Sequence, residues 1–194
     1  MKEQGNIHFC GVGGQGILLA SELTAHALLA AGFDAKKSEV HGMAQRGGSV
    51  EAHLRFGRGK VYSPLIEPGT VDIMLAFEMM EAVRYLPFLN KKSTVIVNTQ
   101  KIAPPVVATG KMPYPDQCLD AITKHGITVV PVDAFAIARQ VGNLKAVNVA
   151  LVGVLSRYLP VDEATWLAVI KKRLPAKILE VNLKAFHEGS KAGQ

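Results

Sequence analysis

The chain has 194 residues, a length typical of one domain, with 48% hydrophobic residues and a formal net charge of +6 that favours acidic or anionic partners. Its two long apolar runs, at 17–33 and 147–159, are broken by polar residues or too short to span a membrane, and we expect no secretory leader before the first strand. Two cysteines, Cys10 and Cys118, are too few and too far apart for a disulfide framework, so we expect one cytoplasmic domain over 1–194.

Strands and helices alternate through the first two thirds of the chain. The apolar run at 7–12 predicts a strand, and the pattern at 17–31 predicts a helix that Gly32 ends. A second strand is expected at 35–40. The segment 49–56 alternates apolar and polar side chains after a loop, which indicates an antiparallel strand with one wet face. Further strands are predicted at 71–77, 94–97 and 128–132, with helices at 78–89 and 116–125.

From Ala134 onward the pattern is helical, and the last residues from Gly189 are expected to be disordered. Four helices are predicted there, at 134–141, 145–159, 162–174 and 177–186. Alternating strands and helices predict an α/β fold in three layers, with a Rossmann-like, mostly parallel sheet and helices on both of its faces. The helical C-terminal region, at about 134–188, belongs to the same predicted domain.

A glycine-rich turn joins the first strand to the first helix: Gly11-Val12-Gly13-Gly14-Gln15-Gly16. It matches the pattern G-x-G-x-x-G, in which glycines let a ligand approach the backbone and the helix N-terminus favours an anion. An NAD or flavin site also needs an acidic residue at the end of the second strand, but Glu39 lies late and Asp34 precedes that strand. Three interpretations stay open: a dinucleotide site, a site for another anion or a partner, and a tight turn without a ligand.

A second loop, His41-Gly42-Met43-Ala44-Gln45-Arg46-Gly47-Gly48, follows the second strand. The Arg46 guanidinium can bind a carboxylate or phosphate through two hydrogen bonds, and Gly47 and Gly48 allow close approach of another backbone. His41 and Gln45 add polar groups. The alternative is that Arg46 is a structural tie to a neighbouring carboxylate. Because ligands of such sheets bind beyond the carboxyl ends of the strands, we expect this loop and the glycine turn at one edge.

These two loops resemble the gamma module of the pyruvate-type 2-oxoacid:ferredoxin oxidoreductases. The resemblance covers about 6–188 and includes Tyr62-Ser63-Pro64-Leu65-Ile66 and the segment 148–153. The form of the loop at 41–48 is similar to that of the indolepyruvate branch, in its beta subunit. Single positions that continue the resemblance are Asp72, Glu78 and Asn98.

The resemblance implies a reaction for the whole enzyme. A 2-oxoacid, here an aryl pyruvate, is decarboxylated on thiamine diphosphate, electrons pass through iron–sulfur clusters to ferredoxin, and the acyl group passes to coenzyme A. The chain itself lacks the ligand sets for these groups, because two distant cysteines cannot hold a cluster and no Gly-Asp-Gly diphosphate motif occurs. The histidines are scattered along the sequence: His8, His26, His41, His53, His125 and His187.

We therefore expect a chain that is inactive alone, holds no metal or cofactor by itself, and docks on a larger alpha subunit carrying thiamine diphosphate and iron–sulfur clusters. Ferredoxin would be reached through the complex, and coenzyme A is a candidate substrate near this chain. The expected ligand or partner face consists of Gly11, Gly13, Gly14, Gln15, Gly16, His41, Gln45, Arg46, Gly47 and Gly48, with Arg46 contacting an anion.

Two other classes are alternatives to an enzyme subunit. One is a stand-alone nucleotide-binding oxidoreductase, and the other is a regulatory module without an enzyme partner. Nucleic-acid binding is disfavoured, because the single Trp and the four Tyr do not interleave with the basic residues.

Overall fold

The computed structural model describes residues 3–41 and 48–192. Six strands form one sheet in the order β2-β3-β1-β4-β5-β6. The three pairs from β1 to β6 are parallel, whereas β3 is antiparallel to both of its neighbours, β1 and β2. The strands are β1 (Gln4–Val12), β2 (Asp34–His41), β3 (Ser49–Gly57), β4 (Ile73–Ala76), β5 (Thr94–Asn98) and β6 (Thr128–Val132). The predicted mostly parallel sheet and its one antiparallel strand are both confirmed.

Helices cover both faces of this sheet. In the described part of the chain they are α1 (Ile17–Ala30), α2 (Met79–Arg84), α3 (Pro105–Ala108), α4 (Cys118–Thr123), α5 (Ala134–Gln140), α6 (Val147–Ser156), α7 (Glu163–Arg173) and α8 (Ala176–Ala192). Helix α1 ends as predicted, with Gly32 at φ +81° just after it. No described helix is long and apolar enough to cross a membrane.

Two hydrophobic cores lie on opposite sides of the sheet because successive strand residues point to opposite faces. Ile7 and Phe9 of β1 belong to the larger core, together with α1 and the C-terminal helices. Cys10 belongs to the smaller core, beneath α2 and α4. We call these the α1 side and the α2 side. The three predicted layers are thus confirmed.

The helix predicted at 78–89 is shorter than expected. Helix α2 ends at Arg84, and a 3-10 turn over Leu86–Phe88 follows. Pro87 has no backbone N–H to continue the helical ladder, and its ring would crowd the preceding turn. The sequence analysis also missed α3, which lies within the proline-rich connection and begins at Pro105.

The disorder predicted from Gly189 onward is wrong. Helix α8 continues to Ala192, and Gly189 is buried against α6. A Cβ atom on Gly189 would lie 2.0 Å from the Ala150 carbonyl oxygen, and one on Gly153 would lie 2.2 Å from the carbonyl oxygen of Phe186. Glycines on both helices therefore permit close backbone contact, which fixes the end of the chain in the larger core.

Candidate functional site

The glycine turn and the base of the 41–48 loop are joined at the carboxyl end of β1. The Gly13 N–H donates to the Gly48 carbonyl at 2.8 Å, and the strand register places Val12 opposite Ser49. Four of the predicted site positions cannot be placed in this way. The side chain of His41 and the residues Gln45, Arg46 and Gly47, with the rest of 42–47, lie outside the described residues, whereas Gly48 lies within them.

Two of the glycines are explained by packing. A Cβ atom on Gly16 would lie 2.4 Å from the Asn148 side-chain nitrogen, and Gly16 has φ +80° as the N-cap of α1. A Cβ atom on Gly11 would lie 2.7 Å from the Phe77 Cβ. Both positions need glycine for close contacts inside the protein, whether or not a ligand binds.

Gly14 differs from these two glycines. It is exposed, it has φ +102°, and nothing lies within 4 Å of the place where a Cβ atom would be. This position needs glycine for its backbone conformation alone, and it leaves open space on the outer surface of the turn. Gly14 is therefore the point of the turn where another molecule can come closest to the backbone.

Gln15 fixes the shape of the turn through its side-chain amide. Its Oε1 accepts from the Val12 N–H at 2.7 Å, and its Nε2 donates to the Phe77 carbonyl at 2.9 Å. The same nitrogen contacts Gln100 Oε1 at 3.3 Å. The amide thus connects the end of β1 with the residues that follow β4 and β5.

Asn98 completes this amide network from beneath. It is buried at the end of β5, its Nδ2 donates to the same Phe77 carbonyl at 3.1 Å, and its Oδ1 accepts from the Ala134 N–H at 3.2 Å. Since Ala134 begins α5, Asn98 connects two strand ends with a helix start. Gln15, Asn98 and Gln100 together form a polar floor behind the glycine turn.

Glu78 is a second buried residue whose hydrogen bonds hold together the sheet edge that carries the glycine turn. Its Oε2 caps α2 by accepting from the Glu81 N–H at 3.1 Å, and its Oε1 accepts from the Ile102 N–H at 3.1 Å and the Tyr114 hydroxyl at 2.5 Å. Burial, together with the hydrogen bond to Glu78, raises the pKa of Tyr114 well above its usual value. The carboxylate therefore holds α2 and the proline-rich connection together and is occupied by protein donors.

On the α2 side of the sheet, the structure brings His8 of β1 next to two polar residues of β3, Glu51 and His53. Glu51 Oε2 lies 2.8 Å from His8 Nε2 and 3.4 Å from His53 Nε2. His8 and His53 face each other across the β1–β3 pair, with ring centroids 5.0 Å apart. The sequence analysis treated these histidines as scattered, because only the strand register reveals that they are neighbours.

Electrostatics in this trio favour a carboxylate between histidine N–H groups. Burial opposes ionisation of Glu51, but the hydrogen bonds from His53 and His8 prevail and lower the pKa of Glu51 to about 2. Burial lowers the pKa of His8, against the opposing effect of its hydrogen bond to Glu51. The trio is therefore stable with Glu51 charged and His8 neutral.

Three atoms of the trio lie within 4.8 Å of one another, a spacing that a metal ion could use. The hydrogen bonding of His53 does not fit this use. The Ile66 N–H donates to His53 Nδ1 at 3.0 Å, so Nδ1 keeps its lone pair and the ring proton sits on Nε2, the atom that faces Glu51. A metal-bound histidine normally donates from its other nitrogen. The trio is thus a structural hydrogen-bond network.

The acidic residues considered for a dinucleotide site lie away from the glycine turn. Strand β3 is inserted between β1 and β2, so that Glu39 pairs with Ala52 and not with β1. Two strand spacings separate β2 from β1, about 10 Å. Asp34 lies at the opposite end of β2 and accepts from the Val61 N–H at 2.8 Å. Neither carboxylate is therefore placed to bind a ribose at the turn.

Comparisons with known proteins agree over nearly the whole chain. Residues 6–192 match the family model described as pyruvate ferredoxin/flavodoxin oxidoreductase. The chain is 44% identical over 188 residues to the indolepyruvate oxidoreductase subunit IorB of Archaeoglobus fulgidus, covering 95% of this chain and 92% of that protein.

Solved structures share the fold. A keto/oxoacid ferredoxin oxidoreductase gamma subunit from Geobacter sulfurreducens superposes with a TM-score of 0.73 at 21% identity, covering 97% of this chain and 98% of its own. A 2-oxoglutarate:ferredoxin oxidoreductase from Magnetococcus marinus gives a TM-score of 0.77 at 18% identity, covering all of this chain and 31% of the longer one. The family match over 6–192 and the 44% identity to the IorB subunit show that the chain belongs to the pyruvate ferredoxin/flavodoxin oxidoreductase family.

Proposed function

We propose that this chain is the small subunit of an indolepyruvate:ferredoxin oxidoreductase, a complex that oxidatively decarboxylates aryl pyruvates to acyl-coenzyme A. The observation that carries the proposal is the 44% identity to an indolepyruvate oxidoreductase subunit over nearly the full length of both chains. The partner is a larger subunit that holds thiamine diphosphate and iron–sulfur clusters, and ferredoxin receives the electrons through the complex. The complex acts in the cytoplasm.

The side chains of the described residues support a subunit without a cofactor of its own. In the His8–Glu51–His53 trio, the ring proton of His53 sits on Nε2, the nitrogen that would have to bind a metal ion. Cys10 is fully buried in a strand, where burial raises the pKa of its thiol well above the usual value. A thiolate ligand requires the opposite shift, because thiolates form where the pKa is lowered.

In this proposal, the glycine turn is one wall of a site shared between subunits. Gly14 supplies the open backbone surface, and the bond from Gly13 to Gly48 fixes the turn beside the loop that carries Arg46. Arg46 contacts an anionic group of the substrate or of coenzyme A, and Gln45 and His41 add polar contacts. Gln15 acts from behind by holding the turn in shape.

The alternative of a stand-alone NAD or flavin protein has weaker support. The extra strand between β1 and β2 moves Glu39 away from the place where a ribose hydroxyl would lie. Thermal unfolding with a dinucleotide tests it directly. A raised Tm of the isolated chain at roughly millimolar NAD or flavin would favour this alternative over the subunit proposal.

The test of the subunit proposal is reconstitution. The chain is co-expressed with the larger subunit, the complex is analysed by native mass and iron content, and ferredoxin reduction is followed with indolepyruvate. Omission of the chain should abolish turnover. Arg46→Ala should lower kcat/KM about 100-fold without dissociating the complex, as expected when a charged contact to an anion is lost.

Lys184→Ala is the matched control, because Lys184 is an exposed cation of α8 that pairs with Glu180 and belongs neither to the turn nor to the polar floor behind it. It should leave turnover unchanged. Failure to form an iron-containing complex would contradict the subunit proposal. If the complex forms but Arg46→Ala leaves turnover unchanged, only the proposed role of Arg46 is contradicted, and the subunit proposal stands.

A further inference from the structure

Residues 62–66, between β3 and β4, form a segment without regular secondary structure on the α2 side of the sheet; we call it the strap. The Ile66 N–H at its end donates to His53 Nδ1 at 3.0 Å. Arg55 Nη1 donates to the Ser63 carbonyl at 3.3 Å and to a second strap carbonyl at 3.4 Å. His53 and Arg55 both belong to β3. The sheet therefore holds the strap from beneath by its backbone.

The start of the strap is fixed as well. The Val61 N–H donates to Asp34 Oδ2 at 2.8 Å, which ties this end to the beginning of β2. Pro64 restricts the backbone within the strap, and Ser63 Oγ accepts from the Leu65 N–H at 3.2 Å. The strap is thus irregular in conformation but bonded to the sheet at both ends.

The strap presents two large apolar side chains to solvent. Tyr62 is 84% exposed and Leu65 is 56% exposed, whereas Ile66 beside them is 96% buried as the anchor in the smaller core. Exposed aromatic and aliphatic groups on a fixed backbone lose little conformational entropy on binding, so they suit a protein interface. Because both side chains are largely exposed on this chain, a partner must supply the pockets that bury them.

The surroundings of the strap define what that partner must offer. Val40 is 47% exposed and lies on the same side of the sheet, since it pairs with Glu51. Lys36 pairs with Arg55 and so shares that side, where its charge is balanced by Asp34 at 3.4 Å, whereas Lys60 Nζ lies 5.3 Å from the centre of the Tyr62 ring. Apolar groups with a cation beside them complement an apolar surface with an acidic rim.

We propose that the strap is a docking surface for the larger subunit, and that Tyr62 and Leu65 are its anchors. This inference rests on the proposed function. The larger subunit should present apolar pockets for the two anchors and a carboxylate near Lys60. The strap lies away from the carboxyl end of β1. The chain would therefore bind its partner at a surface distinct from the glycine turn.

The experiment compares two double variants of the full chain, each purified and titrated against the larger subunit. Tyr62→Ser with Leu65→Ser removes the anchors from exposed positions, so the fold should be retained, and the circular dichroism spectrum and Tm check this. Met112→Ser with Leu144→Ser is the matched control, because these two apolar side chains are 58% and 51% exposed elsewhere. Affinity of each purified chain for the separated larger subunit is measured by titration calorimetry.

Loss of the anchors should weaken binding at least about 100-fold, as for the dominant residues of an interface, while the control stays within about threefold of the unaltered chain. Equal affinity of both variants would overturn the inference, and so would a Tyr62/Leu65 variant that binds like the unaltered chain. If the unaltered chain binds no larger subunit, the proposed function fails instead. If the unaltered chain is a dimer by itself and the Tyr62/Leu65 variant is a monomer, the strap mediates self-association. That result would also overturn the inference.

Discussion

The glycine turn and the His8–Glu51–His53 trio show two ways in which a polar site is built on one sheet. The turn consists of neighbours in sequence, and its glycines are visible as a pattern before any fold is known. The trio consists of residues from two strands, and it exists because β3 pairs antiparallel with β1 in one particular register. A local motif thus indicates where a site lies, whereas register determines which side chains share it.

The two regions also differ in what their polar atoms are available for. At the turn, Gly14 leaves open space on the outside, and the amide of Gln15 is bonded behind it. In the trio, Glu51 bonds to His53, and His53 Nδ1 accepts from the Ile66 N–H of the strap. The turn can therefore receive another molecule, while the trio stabilises the surface above it.

Gly16→Ala should have the largest effect on stability. The added Cβ would lie 2.4 Å from the Asn148 side-chain nitrogen, at a φ of +80° that alanine disfavours. We expect the free energy of unfolding to fall by about 3 kcal/mol, from backbone strain and the clash together. Urea denaturation measures this.

Gly14→Ala is the control for Gly16, because it has a similar positive φ and no neighbour within 4 Å. It should cost about 1 kcal/mol from strain alone. Asn148→Ala removes the two side-chain atoms nearest to the added Cβ, so the double variant with Gly16→Ala should be less destabilised than the sum of the single variants. Equal effects at Gly16 and Gly14 would show that packing against Asn148 is not the reason for glycine at 16.

Glu51→Gln should have an intermediate effect and should change how stability depends on pH. The pKa of Glu51 is about 2 in the folded chain and 4.5 in the reference state. A depressed carboxyl pKa stabilises the fold above the reference value, and this contribution is lost as the pH falls from about 4.5 to 2. At neutral pH we expect the variant to be less stable by about 2 kcal/mol, since a neutral acceptor replaces a charged one between two histidines.

The measurement is the free energy of unfolding in urea at several pH values between 2 and 7. The difference between Glu51→Gln and the unaltered chain should be largest at neutral pH and should disappear near pH 2. Glu67→Gln, at an exposed position, is the control and should follow the unaltered chain throughout. A difference for Glu51→Gln that does not change with pH would contradict a charged carboxylate in the trio.

The sequence predicted the order of the elements and the place of the site better than the identity of its contacts. Hydrophobic periodicity predicts β1, α1 and β3 because each buries a regular stripe of side chains. It could not reveal that β3 lies between β1 and β2, and that insertion is what separates Glu39 from the turn. Packing between helices is equally invisible, so the glycine of α8 at 189 was taken for a sign of disorder.

The roles of Gln15, Glu78 and Asn98 show the same limit within the site. Each could be picked out at the sequence level, by motif or by resemblance. Their partners, however, lie between 21 and 62 residues away along the chain: the Phe77 carbonyl for both amides, and the Ile102 N–H for Glu78. Such long-range hydrogen bonds depend on strand order, which a single sequence does not determine.

Gln15→Ala should have the smallest of these effects on stability and should separate shape from ligand contact at the turn. It leaves the Val12 N–H and one bond to the Phe77 carbonyl without their partner, which should cost about 1 kcal/mol because the turn is only partly buried and water can replace the amide. Gln15→Glu keeps the acceptor for the Val12 N–H but loses the donor to the Phe77 carbonyl. Its loss of stability should therefore come from the unpaired Phe77 carbonyl alone. In the reconstituted complex, a turn that has lost its shape should raise KM for the ligand of the site with little change in kcat. Unfolding in urea and steady-state kinetics are measured on the same variants. A large fall in kcat with unchanged stability would show that Gln15 contacts the reacting molecules directly and does not act by holding the turn.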